Sequence, residues 1–212
     1  MRVIEIKNMQ KRFVGFKLDV SSLEVEEGDK AILFGKKGTG KTAIIDLLMK
    51  IVLPDRGRIR ILGQEIQKNE AAIKQNIGFW GQYSGFPGKI KLKEYKSMIS
   101  GYYKRWDEDL FKQYSEQFEL DLEKDYADVD PKKQEEFLFA LLVCRRPGLF
   151  IIDEPYDNNL NATRRQLCSL LMERKKTEGF TILMAASDSS VAKEGADQVT
   201  VPERTSAIYR ES

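Results

Sequence analysis

Eight residues, Gly35-Lys36-Lys37-Gly38-Thr39-Gly40-Lys41-Thr42, hold three glycines and three lysines between two apolar runs. Glycines let successive backbone N–H groups turn inward around an anion with no Cβ in the way. A helix that begins near Lys41 aims its free N–H groups at the same anion. The Lys41 ammonium can reach terminal phosphate oxygens, and the Thr42 hydroxyl suits Mg²⁺. The spacing Gly-x4-Gly-Lys-Thr, with a strand before and a helix after, is that of a phosphate-binding loop. The bland alternative, a glycine-rich turn that binds nothing, has both flanks against it. A second chemical stretch is "LFIIDEP". An apolar strand that ends in Asp153 supplies a carboxylate for the magnesium side of a phosphate site. Glu154 beside it can polarise a water that attacks a γ-phosphate. A strand closed by solvated acids is common, but it loses weight once the glycine loop is present.

The chain has 212 residues, enough for one domain with a buried core. Hydrophobic residues make up 42% and charged residues 32%, which reads as soluble and globular. The longest apolar run, Phe137–Cys144, is too short to cross a bilayer. No secretory segment opens the sequence, so Cys144 and Cys168 are expected as reduced core residues. Net charge is +2 with both signs interspersed, which marks no nucleic-acid stripe. With no histidine, imidazole chemistry is excluded.

The elements that must position these residues follow from periodicity. "VIEIKNMQKRF" and "GFKLDVSSLEVEEG" alternate and predict antiparallel strands. "KAILF", "LFIID" and "FTILMAA" predict short buried strands. Helical spacing covers Thr42–Ile51, two stretches between Lys91 and Leu122, Pro131–Cys144 and "TRRQLCSLLMERKK". Tyr95, Met98, Ile99 and Tyr102 are expected to pack together on one helix. Buried strands alternating with helices predict an α/β fold with a mainly parallel sheet, an antiparallel β subdomain and an inserted helical subdomain at about 90–146.

This order of pieces resembles the ATP-binding subunit of an ABC transporter over nearly the whole chain. Phe13 stands where that family has an aromatic that stacks on adenine. Gly35, Lys36, Lys37, Gly38, Thr39, Gly40, Lys41, Thr42 and Ala43 match its nucleotide-binding loop and helix start. Gln82, in "IGFWGQ", matches the Q-loop. Asp153 and Glu154 match the Walker B aspartate and the catalytic glutamate. The resemblance implies ATP and Mg²⁺ as cofactors, with Thr42, Gln82 and Asp153 around the metal and Glu154, Gln82 and Ser187 at the reacting phosphate.

Three departures stand beside the match. Where the family has its LSGGQ-like signature, this chain has Val129-Asp130-Pro131-Lys132-Lys133. In the family that segment contacts the γ-phosphate held by a partner subunit. Asp130-Pro131 instead predicts a helix that caps its own start and shows a carboxylate to the phosphate. Two unit charges about 4 Å apart near a surface repel by roughly 4 kcal/mol, against about 1 kcal/mol for a lost hydrogen bond. Repulsion dominates unless Lys132 and Lys133 turn in and neutralise it. Ser187 replaces the switch histidine, and Asn161 replaces the D-loop aspartate. The resemblance implies a membrane permease partner, a homodimer or, more economically, a heterodimer with an intact ABC subunit, and a place on the cytoplasmic face of the membrane. A regulatory or structural nucleotide-binding module, and a soluble ABC protein with no transport role, stay open beside it.

Overall fold

The computed structural model describes residues 1–81, 89–154, 161–187, 198–200 and 205–207. Two long alternating segments form the antiparallel strands β1 (Arg2–Arg12) and β2 (Phe16–Glu26), and β3 (Lys30–Phe34) follows. Helix α1 (Lys41–Leu48) begins at the loop lysine. Next come the hairpin β4 (Arg56–Ile61) and β5 (Gln64–Glu65), α2 (Glu70–Gln75) and β6 (Ile77–Trp80). The helical part consists of α3 (Leu92–Tyr102), α4 (Glu108–Gln117), a 3-10 turn at Tyr126–Asp128 and α5 (Pro131–Cys144). The chain then returns through β7 (Leu149–Asp153), α6 (Asn161–Glu178) and β8 (Thr181–Ala186), with short strands β9 (Gln198–Thr200) and β10 (Thr205–Ala207).

The strands sort into two sheets. One has the order β10-β2-β1-β4-β5 and is antiparallel. The other has the order β6-β7-β8-β3-β9 and is parallel throughout. The central parallel strands β3, β7 and β8 are buried on both faces, as crossover helices and a second sheet require. Side chains alternate across them. Phe150, Ile152, Ile182 and Met184 pack with α3, α4, α5 and α6, whereas Leu149, Ile151, Leu183 and Ala185 pack with α1 and the antiparallel sheet. Helix α1 contributes Ala43, Ile44, Ile45, Leu47 and Leu48 to the second core, so its first turn is held rigidly below β3. Parallelism has one decisive effect: the ends of β3, β7 and β8 all open on the same edge, where a crevice forms.

Most expected elements coincide with observed ones, and α5 and β7 match end for end. The expected packing of the α3 stripe needs correction. Tyr95 is buried and Ile99 half-buried, but Met98 and Tyr102 are 63% and 60% exposed. Helical period marks a shared face and does not say what covers it. Both cysteines are free and buried, and burial pushes the Cys144 thiol up to about 12.

Candidate functional site

The loop between β3 and α1 has the geometry its glycines permit. A Cβ on Gly35 would lie 2.6 Å from Thr39 Oγ1, and Gly40 takes φ +93° just before the helix. Gly35 N–H donates to Ala186 O (3.3 Å), which ties the loop to the end of β8. The Thr39 hydroxyl donates to Lys36 O (2.9 Å) and closes the turn.

Three elements converge on Lys41. Its ammonium, only 3% exposed, donates to Gly35 O (2.7 Å), Lys36 O (3.0 Å) and Ser187 Oγ (3.0 Å), and pairs with Glu154 Oε1 (3.0 Å). Ser187 in turn donates to Glu154 Oε1 (2.7 Å). Glu154 holds φ +47°, a left-handed conformation that costs a non-glycine residue on the order of 1 kcal/mol. Strain of this kind concentrates at sites where orientation matters. Asp153 lies at the end of β7, and the Thr42 hydroxyl donates to its Oδ1 (3.3 Å). Burial raises the proton affinity of Asp153, and the charges of Glu154 and Asp46 add to the effect. A hydroxyl and a carboxylate are hard oxygen donors in a region that disfavours uncompensated negative charge, so they fit Mg²⁺. Gln82, the third expected metal-side residue, lies outside the described residues.

A cleft of about 380 Å³ runs over this cluster, lined by Lys37, Gly38, Gly40, Lys41, Thr42, Ala43 and Glu154, and by Phe13, Phe16 and Asp46. It brings Phe13 to the same crevice as the glycine loop. A second cleft of about 310 Å³, near Arg105, Arg146 and Glu178, lies by the start of β8 at the opposite edge and has no such loop.

The family model for ABC transporters matches residues 18–157. The chain belongs to the ABC transporter family. It is 27% identical to the ABC transporter ATP-binding protein YtrB of Bacillus subtilis over 186 residues, 87% of this chain and 63% of that protein. It is 24% identical to the molybdate/tungstate import ATP-binding protein WtpC of Pyrococcus horikoshii over 215 residues, 94% of this chain and 59% of that protein. The chain thus spans about three fifths of the length of these two relatives. A solved ATP-binding subunit of an ABC transporter superposes with a TM-score of 0.79 at 18% identity, covering 97% of this chain and 90% of that one. A nucleotide-free ATP-binding cassette superposes with a TM-score of 0.72 at 19% identity, covering 98% and 90%. The fold is therefore the P-loop NTPase fold of ABC type.

The stretch expected at the signature position, Val129–Lys133, is built as its residue types predict. Asp130 caps α5 by accepting the Lys133 N–H (3.1 Å), and Pro131 takes the first helical position. Lys132 and Lys133 pair with Glu136 on the next turn (3.7 and 3.3 Å), and Lys133 also donates to Phe118 O. Both lysines are thus engaged by their own helix. Of the D-loop, only the backbone of Asn161 at the start of α6 is described.

Three features of this ABC domain go beyond the sequence reading. Phe16 stacks on Phe13 (centroids 4.6 Å apart, planes 5° apart), across the tight turn closed by Phe13 N–H to Phe16 O (2.9 Å). The pattern Phe-Val-Gly-Phe between two alternating segments was the available signal. Asp46 enters the cleft from α1, where only the apolar spacing had been noted. Finally, Arg164 of α6 makes two hydrogen bonds to Glu135 of α5 (2.7 and 3.1 Å), and Trp80 Nε1–H at the end of β6 adds a third (3.3 Å). All three residues are buried, and Trp80 pairs across the sheet with Ile152, the residue before Asp153.

Proposed function

We propose that this chain is the ATP-binding subunit of an ABC transporter, in which nucleotide binding and slow hydrolysis drive a membrane permease partner. The observation that carries the reading is the convergence of Lys41, Thr42 and Glu154, with Asp153 bonded to Thr42, on one cleft that Phe13 also lines. Residues 1–212 form one domain, with the helical part at about 90–146. In the resting arrangement Lys41 is held by loop carbonyls and Glu154. Triphosphate oxygens offer the ammonium a stronger partner, and the glycine loop and the start of α1 surround them with N–H donors. Phe13, backed by Phe16, stacks the base. Thr42 and Asp153 would hold magnesium, which would supply charge neutralisation to the phosphates. Glu154, once Lys41 leaves it, orients water at the γ-phosphate, and Ser187 holds the carboxylate in place.

Hydrolysis by a homodimer is slow, because Asp130 spends its carboxylate and the helix N–H groups on each other. Its neighbouring lysines are bound to Glu136 instead of neutralising it. A partner with an intact signature completes the Lys41 site, which favours a heterodimer at the cytoplasmic face of the membrane. One of the two relatives named above is an import protein, which is compatible with a transport role. The test is titration calorimetry of MgATP on the chain and on Lys41→Ala, with phosphate release followed in the same samples. Binding that Lys41→Ala abolishes, with turnover far below one per second, is expected. Equal affinity in the two proteins sinks the nucleotide reading, and fast turnover by the isolated chain sinks the degenerate-signature reading.

A further inference from the structure

Asp46 is a carboxylate without a structural task. It lies on α1 one turn beyond Thr42 and Ala43, about 5–6 Å further along the axis from the glycine loop. Asp46 and Ala43 are three residues apart and so share one face of the helix, which lines the cleft together with Phe13 and Phe16. Among the described residues its side chain has no hydrogen bond or ion pair; only its backbone carbonyl is used, by the N–H groups of Ile51 and Val52. Burial pushes its carboxyl above the usual range, and among the described residues no cation offsets the cost. A half-buried acceptor without a donor is a cost that a ligand can remove.

Charge decides which half of a nucleotide can do so. Asp153 and Glu154, assigned to the phosphate end, have Thr42 and Lys41 beside them; Asp46 has no such partner among the described residues, and an unaccompanied carboxylate is repelled by a triphosphate. The nucleoside end carries hydrogen-bond donors: the ribose hydroxyls and the exocyclic amine of the base. A vicinal diol presents two O–H donors that one carboxylate can accept together, the arrangement acidic residues use on ribose in dinucleotide-binding folds. The stacked Phe13–Phe16 pair defines the base end of the cleft and the glycine loop its phosphate end. Asp46 lines the same cleft from the helix that starts at that loop.

We propose that Asp46 recognises the ribose of the bound nucleotide by accepting hydrogen bonds from its hydroxyls. This rests on the proposed nucleotide binding, and the experiment separates the two. Calorimetric titrations of the full chain and Asp46→Ala use the magnesium complexes of ATP, 2′,3′-dideoxyATP, ITP and inorganic tripolyphosphate. A hydrogen bond to a charged acceptor corresponds to roughly 10- to 100-fold in affinity, and partial exposure places Asp46 near tenfold. Asp46→Ala should therefore bind MgATP about tenfold more weakly than the unmodified chain. Dideoxy-ATP should bind the two proteins alike, as should tripolyphosphate, and ITP should show the same tenfold difference as ATP. The ligand arm on the unmodified chain reads the effect without any variant: dideoxy-ATP should bind about tenfold below ATP. An equal loss for ATP and dideoxy-ATP in Asp46→Ala overturns the proposal. So does a loss that vanishes only for ITP, which would make the base amine the partner. If the unmodified chain binds neither ATP nor tripolyphosphate, the nucleotide reading itself has failed and takes Asp46 with it. If ATP binds and only the dideoxy discrimination is missing, the Asp46 assignment alone is wrong.

Discussion

Replacing Glu154 by glutamine should tighten nucleotide binding, although the glutamate is the residue placed to orient water. The reasoning starts from the 3.0 Å pair between Lys41 Nζ and Glu154 Oε1, with the two side chains 3% and 17% exposed. At an effective dielectric of about 20, opposite unit charges at that separation attract by roughly 5.5 kcal/mol. Triphosphate must take the ammonium away from that partner. Most of the gross attraction is offset, because Lys41 keeps bonds to two loop carbonyls and Ser187, and pairing had already cost both ions their hydration. Taking about a quarter of it as recoverable gives about 1.4 kcal/mol, a tenfold gain in affinity. Removing the carboxylate also relieves repulsion toward the γ-phosphate, so the gain for MgATP should exceed that for MgADP. Titration calorimetry on Glu154→Gln and the unmodified chain measures both. Unchanged or weaker MgATP binding by Glu154→Gln would refute the idea that this ion pair competes with the nucleotide.

Two further expectations concern stability. Arg164→Met leaves Glu135 buried and uncompensated, which costs about 3–5 kcal/mol and lowers the melting temperature by roughly 10 °C in a chain of this size. Adding Glu135→Leu should recover most of it, and equal melting of single and double variants in calorimetry would contradict the assignment. Asp107 caps α4 by accepting the Leu110 N–H (2.9 Å) and also meets Arg146; that N–H above all, then the guanidinium, holds its carboxyl below the usual range. Because the folded value is depressed, the stabilisation is present above the unfolded value and is lost as pH falls through the folded one. Asp107→Ala should therefore cost about 1–2 kcal/mol at neutral pH. In urea titrations the gap should begin to close near pH 4, the ordinary aspartate value. A gap that persists at strongly acid pH would mean that packing, not the charged cap, is lost.

Local chemistry was legible in the amino-acid sequence, and long-range pairing was not. The glycine loop, the buried strand before it and the Asp130-Pro131 helix start are each written within a few consecutive residues, and each stands in the structure as read. Ser187 was recognised by position, but its bond to Glu154 depends on β7 and β8 being neighbours. The Glu135–Arg164 pair spans 29 positions, and a glutamate next to Glu136 where the helix turns apolar carries no sign of its partner. Asp46 was hidden because an amphipathic helix is read for its apolar face, and a polar residue among apolar ones passes as solvent-facing. The exposed positions Met98 and Tyr102 mark the converse limit, since periodicity groups residues without saying which groups stay uncovered.

The burial of the two cysteines has a practical consequence. A thiol reagent attacks the thiolate, and burial pushes the Cys144 thiol up to about 12, at the buried C-terminal end of α5. Cys168 is likewise sealed in the core. Toward aqueous maleimides the native fold therefore behaves as a blank background, and an introduced cysteine is the one that takes the dye. Val14, fully exposed at the tip of the turn between Phe13 and Phe16, is the natural place for it. A fluorophore there sits beside the stacked ring pair, so occupation of the cleft could be watched in the intact chain without first stripping its own sulfur.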